Sequence, residues 1–148
     1  MPGAEIDLGV AVVDATVVVR WVVPERGADQ ALELLSRSID WIAPRLMLSE
    51  VAGALRRKVT AGELTAALAA QGLDFVLDIV ARGALRLQRD ETVIRSALAL
   101  SIAHQHKVPD CLYLALAEET GAALVTADLR LRTLARGRQV PTVLISSA

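Results

Sequence analysis

Residues 10–24 read VAVVDATVVVRWVVP, and this stretch decides the fold. The apolar, mostly β-branched run at residues 10–13 predicts a short buried strand. Asp14 ends that run, Thr16 is placed to cap a helix over residues 16–23, and Pro24 limits the helix. A buried strand followed at once by a helix predicts an α/β unit built on a parallel sheet.

The rest of the chain repeats this alternation of strand and helix. The predicted strands cover residues 41–43, 84–87, 123–126 and 142–145. The predicted helices cover residues 28–36, 47–60, 66–81, 92–106, 109–120 and 129–135. Strands separated by helices predict a central, mostly parallel sheet with helices on both faces, a three-layer α/β/α sandwich. With 148 residues, the chain is expected to form a single domain over residues 1–148.

Composition narrows the class of protein. The chain is 53% apolar with a mean hydropathy of +0.43, yet no apolar run approaches the roughly 18 residues that span a bilayer. The opening MPGAEID lacks the basic segment of a signal peptide, and the single Cys111 excludes an internal disulfide. We therefore expect a cytoplasmic protein with no membrane span.

The high fraction of apolar residues also predicts that part of the surface is covered by a second copy of the chain. A monomer of this composition would leave a large apolar patch in water, so a homodimer is expected. The helix around Trp21 and the helices between residues 47 and 81 are the candidate contact surfaces.

The charge balance argues against a broad nucleic-acid surface. The net charge is −1 and the pI is near 6.1, whereas proteins that bind nucleic acid over an extended surface are usually strongly basic. Basic residues still cluster at 56–58 and again between residues 130 and 138. These clusters are either solvated helix faces or a local phosphate-binding surface.

Four acids stand at the rims of apolar segments: Asp14, Glu50, Asp110 and Asp128. Asp14 and Asp128 lie at the ends of predicted strands, and ligands bind at the carboxyl ends of strands in such sheets. Taken singly, Asp110 and Asp128 can equally be helix caps. Together, carboxylates gathered at the rim of a core indicate a bound cation and predict a metal-dependent reaction on phosphate esters.

Other α/β chemistries find no support. The chain contains no G-x-G-x-x-G, no G-x-x-x-x-G-K-[ST] and no G-x-S-x-G. His104 and His106 are either a metal pair or, as the helix dipole favours, the C-terminus of a helix. Cys111 is interpreted as a small buried side chain rather than a nucleophile, since no histidine is placed to activate it.

Three segments carry a resemblance to a known family: VVDATVVVRWVVPE at 12–25, APRLMLSEVAGAL at 43–55 and VPDCLYLALAEETGAALVTAD at 108–128. In this order they resemble the motifs of the PIN domain, and of the VapC-like toxins of type II toxin–antitoxin pairs in particular. The resemblance runs through nearly the whole chain. Pro109-Asp110-Cys111 departs from the more usual aromatic-Asp-Ala, but the acid is retained.

The resemblance implies a metal-dependent endoribonuclease on a small α/β/α sandwich. Asp14, Glu50, Asp110 and Asp128 would bind one or two Mg²⁺ or Mn²⁺ ions, with Asp14 and Asp110 as the closest ligands. Thr16 and Thr126 match flanking hydroxyl positions, and Arg57 is a candidate phosphate contact.

The same resemblance implies two partners and leaves two alternatives open. RNA would be the substrate, and a small antitoxin would bind as an amphipathic segment over the helices at 28–36 and 47–81. The alternatives are a PIN-domain nuclease of RNA processing with no toxin role, and a catalytically inactive PIN binding module.

Overall fold

The computed structural model describes residues 6–146, and in this range five strands alternate with seven helices. The strands are β1 (Val10–Val13), β2 (Asp40–Pro44), β3 (Leu85–Gln88), β4 (Ala123–Thr126) and β5 (Thr142–Leu144). The helices are α1 (Ala15–Val22), α2 (Ala28–Leu35), α3 (Leu46–Thr60), α4 (Ala66–Ala81), α5 (Ile94–His104), α6 (Val108–Thr120) and α7 (Leu129–Gly137).

The strands form one sheet in the order β3-β2-β1-β4-β5, and every pairing in it is parallel. The register places Ala11 between Trp41 of β2 and Ala123 of β4, so β1 lies at the centre. Because β1 and β4 are nearly all buried and apolar, they have the continuous hydrophobic character of a doubly covered sheet.

The helices cover both faces of the sheet. Helices α1 to α4 connect the strands as the chain moves outward from β1 to β3, and α5 to α7 as it returns through β4 to β5. Right-handed crossovers in opposite directions place the two sets on opposite faces. Accordingly, α1 packs on α2, α3 and α4, whereas α6 packs on α5 and α7. The predicted three-layer sandwich is confirmed.

The order of the strands creates a crevice between β1 and β4. The chain leaves β1 toward β2 and leaves β4 toward β5, so the connections run in opposite directions from two neighbouring strands. Ligands in open α/β sheets bind outside the carboxyl ends of the strands at this kind of switch point. Asp14 and Asp128 follow these two strands.

The inner face of α1 packs within the chain. Trp21 is 6% exposed, meets Trp41 edge-on with ring centroids 5.4 Å apart, and donates from Nε1 to the Ala31 carbonyl at 3.0 Å. Val17 and Val18 beside it are fully buried. The Trp21 side chain is therefore mostly internal and offers little area to the contact between copies that the sequence predicted.

Element boundaries differ from prediction mainly at helix starts. Helix α1 begins at Ala15 with Asp14 as its N-cap, so Thr16 is not the cap. The helix predicted over residues 92–106 is a 3₁₀ turn at Asp90–Thr92 followed by α5, because Val93 takes a non-helical conformation (φ −125°, ψ 0°). Residues 1–5, part of the opening segment considered for a signal peptide, lie outside the described range. None of the helices within 6–146 is long and apolar enough to cross a membrane.

Candidate active site

Asp14 is the most deeply buried of the four acids. Its Oδ1 accepts from the backbone N–H of Thr16 at 3.1 Å and from the Thr16 hydroxyl, and its Oδ2 accepts from Thr126 Oγ1 at 2.6 Å. Burial raises the pKa of Asp14 from 3.8 to about 6, even though the bonds from Thr126 and Thr16 lower it. The side chain is 3% exposed, so ionisation is costly without a cation nearby.

The two threonine hydroxyls join the ends of β1 and β4. Thr16 Oγ1 accepts from the backbone N–H of Ala127, and Thr126 Oγ1 accepts from the backbone N–H of Asp128, both at 2.9 Å. Each hydroxyl therefore donates to Asp14 and accepts from the loop after β4. Both lie where the resemblance places flanking hydroxyls.

Glu50 projects from α3 and is held by Tyr113 of α6. The Tyr113 hydroxyl donates to Glu50 Oε1 at 2.5 Å. Burial raises the pKa of Glu50, and the negative charge of Asp110 raises it further. Burial likewise raises the pKa of Tyr113, as do the charge and hydrogen bond of Glu50, so the phenol stays protonated and remains a donor.

Asp110 lies in the first turn of α6 and is held by a histidine. His106 Nε2 donates to Asp110 Oδ2 at 2.8 Å, and Lys107 Nζ lies 3.9 Å from the same oxygen. Lys107 is the N-cap residue of α6, so Asp110 is not the cap that the sequence left open. His106 does not end a helix either, because α5 stops at His104.

Asp128 is a helix cap. Its Oδ1 accepts from the backbone N–H groups of Arg130 at 2.9 Å and of Leu131 at 3.4 Å, at the start of α7. The cap alternative is therefore correct for Asp128. Asp128 caps α7 and still lies near the other acids, since it is at the same edge of the sheet.

All four acids line one cavity of about 480 Å³, hereafter the acidic cavity. Repulsion from Asp110 contributes to the raised pKa of both Asp14 and Glu50, so three of the carboxylates interact electrostatically. Arg57 also lines the acidic cavity, and its charge lowers the pKa of Glu50 in part. The acidic cavity is therefore lined by carboxylates and by positively charged side chains.

The donor set fits a hard divalent cation, although the carboxylates do not form a closed cage. Carboxylate oxygens are the ligands that Mg²⁺ and Mn²⁺ prefer. Within residues 6–146, no three His, Cys, Asp or Glu side chains approach closely enough to hold a metal ion as they stand. Each carboxylate is instead engaged by its own donor. Mg²⁺ commonly binds through one or two carboxylates and completes its coordination with water and phosphate, which suits an open site of this kind.

The structure adds residues that sequence reasoning did not select. Tyr113 and His106 each hold one of the acids, and Lys107 lines the acidic cavity. His106 carried one usable signal, its i, i+4 spacing from Asp110. Tyr113 lies on the segment that resembles the family, three residues after Asp110, but nothing in the sequence pairs it with Glu50.

A parallel α/β/α sandwich with four acids around a cavity at the β1/β4 switch point defines the class of protein. The chain belongs to the PIN-domain family, whose model matches residues 11–137. Among curated proteins it is similar to Ribonuclease VapC3 of Pyrobaculum aerophilum, with 32% identity over 120 residues. That match covers 81% of this chain and 90% of the relative, and it supports the resemblance to VapC-like proteins.

Solved structures show the same fold. The crystal structure of PAE2754 from Pyrobaculum aerophilum has a TM-score of 0.68 at 20% identity and covers 90% of this chain and 88% of that one. A domain of a functionally unknown protein from Methanocaldococcus jannaschii has a TM-score of 0.55 at 16% identity, covering 95% and 93%. At these identities the likeness concerns the fold alone.

Proposed function

We propose that this protein is a metal-dependent endoribonuclease that acts as the toxin of a toxin–antitoxin pair. The observation that carries the proposal is the gathering of Asp14, Glu50, Asp110 and Asp128 around one cavity at the switch point of the sheet. Membership in the PIN-domain family and similarity to a protein named as a VapC ribonuclease support it.

The four acids have distinct roles in this proposal. Asp14 and Asp110 are the nearest ligands of Mg²⁺ or Mn²⁺, since both are buried and both are fixed by neighbouring donors. Glu50, held by Tyr113, would ligate the ion or orient water, and Asp128 would be the fourth acid of the site. The bound ion supplies a water of lowered pKa and polarises the scissile phosphate. Arg57 contacts a substrate phosphate from the wall of the acidic cavity.

The test is replacement of Asp14 by Asn, which keeps the size of the side chain and removes its charge. Purified protein is incubated with total RNA in Mg²⁺, in Mn²⁺ or in EDTA. We expect cleavage by the wild type only with metal, and loss of cleavage in Asp14→Asn and Asp110→Asn with the fold retained. The double variant should lose little more, because the two residues act as a unit.

Asp29→Asn is the matched control, since Asp29 lies on the exposed face of α2 outside the acidic cavity. It should cleave like the wild type. Full cleavage by Asp14→Asn, or equal cleavage in EDTA, contradicts the metal-nuclease proposal.

An apolar groove offers a place for the antitoxin. The groove, of about 410 Å³, lies between the end of α1 and α4, and Leu68 and Phe75 in it are 51% and 42% exposed. Its remaining lining is Trp21, Val22, Pro24, Leu64, Gln71 and Gly72. We propose that an amphipathic segment of the antitoxin fills this groove and extends a basic side chain toward the acids. The groove lies on α4, within the region between residues 47 and 81 that the sequence selected, whereas α2 does not line it.

A short reading frame immediately upstream of this chain's gene would support the toxin proposal, and its product would then be used to test the groove. Phe75→Asp should abolish co-purification of the two proteins. Leu77→Asp is the matched control, because Leu77 is similarly exposed on α4 but does not line the groove. Retained binding by Phe75→Asp would place the antitoxin elsewhere.

A further inference from the structure

A second cavity lies beside the acidic cavity. It has a volume of about 330 Å³ and is lined by Gln105, His106, Lys107, Asp110, Asp128 and Arg130. Lys107, Asp110 and Asp128 line both cavities. The two cavities therefore adjoin at these three residues, and together they are called the trough.

The second cavity carries cations that are available to an anion. Arg130 is exposed, and among residues 6–146 no acid forms an ion pair with its guanidinium. The Lys107 side chain is 70% exposed and reaches Asp110 only at 3.9 Å. In the acidic cavity, by contrast, Arg20 and Lys58 both pair with Glu25. Arg57, which lines only the acidic cavity, likewise forms no ion pair with an acid among residues 6–146. Unpaired positive charge therefore lines both cavities, and Arg130 is the cation that only the second cavity contributes.

The backbone places Arg130 and Lys107 close to the acids. Arg130 donates its backbone N–H to the Asp128 carboxylate, and Lys107 is the N-cap residue of α6, three residues before Asp110. The connection into Lys107 is a tight turn, in which Gln105 takes a left-handed conformation with φ 52°. Each cation is therefore placed next to an acid by the start of a helix.

We propose that the second cavity binds the phosphate next to the scissile one in a single strand of RNA, through Arg130 and Lys107. This inference rests on the proposed ribonuclease function and names the path of its substrate. A trough that is lined by cations suits a single strand, whose backbone it can follow. The scissile phosphate then lies at the acids, where the two cavities meet, and the neighbouring phosphate lies at Arg130.

The experiment compares Arg130→Gln with Arg136→Gln, a control in the last turn of the same helix and outside both cavities. Cleavage of RNA oligonucleotides of two to eight nucleotides is measured in Mg²⁺ over a range of salt concentrations. We expect Arg130→Gln to raise KM for the longer oligonucleotides about tenfold, with kcat within about twofold, since a charged phosphate contact is lost. The slope of log KM against the logarithm of the salt concentration should fall by about one, because one phosphate contact is lost.

Oligonucleotide length provides the internal check. The loss in kcat/KM should be larger for a trinucleotide, which has two phosphates, than for a dinucleotide, which has one. If the wild type cleaves RNA but Arg130→Gln matches Arg136→Gln at every length, the subsite is wrong and the nuclease proposal stands. If the wild type cleaves no RNA, the nuclease proposal fails, and this inference fails with it. Preferential cleavage of duplex RNA would also overturn the single-strand path.

Discussion

Single side chains set the chemistry of this site, and Asp14 shows how. Its carboxylate is enclosed by two threonine hydroxyls and a backbone N–H, yet burial still raises its pKa to about 6. Hydrogen bonds alone thus do not compensate for the loss of water around the charge. A buried carboxylate that is costly to ionise is stabilised by a nearby cation. The burial of Asp14 therefore destabilises the metal-free site and favours the metal binding that the proposed function requires.

The pKa of Asp14 predicts a pH-dependent stability in EDTA. Because the pKa is about 6 in the fold and 3.8 ordinarily, the folded state binds the proton more tightly than the unfolded chain. Stability is therefore lost as pH rises between about 4 and 6. Asp14→Asn should lose less over this range and be more stable than the wild type at pH 7.5, by up to about 3 kcal/mol. Urea unfolding at several pH values measures this.

Asp29→Asn is the control for the pH series, since Asp29 is exposed on α2. Its stability should follow the wild-type dependence. Glu50, whose pKa is also raised, contributes a slope of the same sign in every variant, so the difference between variants isolates Asp14. Parallel curves for the wild type and Asp14→Asn would contradict the assignment.

Tyr113 is predicted to position Glu50 rather than to react. Tyr113→Phe keeps the buried ring and removes the hydroxyl that donates to Glu50 Oε1. We expect kcat to fall about 10- to 100-fold with little change in KM, as for other groups that orient a metal ligand. Combined with Glu50→Gln, it should add little, because the two side chains act as a pair. Full additivity in this double-mutant cycle would assign Tyr113 a separate role.

The sequence singled out the acids that line the cavity and the two threonines that hold Asp14, but not Tyr113 and His106, which hold Glu50 and Asp110. Asp14 and Asp128 were recognisable because each comes within two residues of the end of an apolar strand, and parallel strands present their carboxyl ends at one edge. Tyr113 and Glu50 are 63 residues apart and lie on different helices, so their contact depends on how α3 and α6 pack. No local pattern encodes such a contact. Site residues that follow strand ends are predictable from sequence, whereas their supporting partners require the tertiary structure.

Strands and helices were predictable to different degrees. The β-branched runs of β1 and β4 fixed their limits to the residue, because burial on both faces demands uninterrupted apolar sequence. Helix starts were less certain, since capping depends on the conformation of one residue. Asp14 rather than Thr16 caps α1, and Val93 separates the 3₁₀ turn from α5.

Substitution of Gly27 at the start of α2 tests how tightly the segment after β5 packs against this helix. Gly27 is the N-cap of α2 with φ 85°, and a Cβ there would meet the Ser146 carbonyl oxygen and lie 2.8 Å from Ile145 Cγ2. Gly27→Ala should therefore add a steric clash with the backbone after β5 to the strain of the left-handed conformation. Gly83 has φ 80° with open space around it, so Gly83→Ala carries the strain alone, about 1–2 kcal/mol.

The difference between these two variants measures the clash. Gly27→Ala should be less stable than Gly83→Ala by about 1–3 kcal/mol in urea unfolding, the usual range for overpacking. Equal losses would mean that the segment around Ser146 moves away at little cost.

The protein surface carries the apolar area that the composition implied, in part on α4, where the sequence placed it, and in part on α5, which the sequence did not select. Trp21 is internal, whereas α5 exposes Ile94, Leu98 and Ile102, which are 40%, 52% and 71% exposed at successive i, i+4 positions. Beside this ridge lies a groove of about 490 Å³ between α5 and α6, lined in part by Ser96, Ala99 and Ala103. The rest of the groove is lined by Leu100, His104, Ala115, Glu118, Glu119 and Arg138. A ridge beside a groove can form a contact about a two-fold axis, since each copy can place its ridge in the groove of the other.

We therefore predict a homodimer that forms through α5. Leu98→Glu places a charge on the ridge and should convert the dimer to a monomer at micromolar concentration in sedimentation equilibrium, without antitoxin. Leu68→Glu is the matched control: Leu68 is equally exposed but lies in the groove between α1 and α4, so this variant should remain dimeric. If instead Leu68→Glu dissociates the protein and Leu98→Glu does not, the contact lies on α4, as the sequence had suggested. A wild type that sediments only as a monomer contradicts the dimer itself, and the α5 ridge then needs another partner because it leaves three large apolar side chains in water.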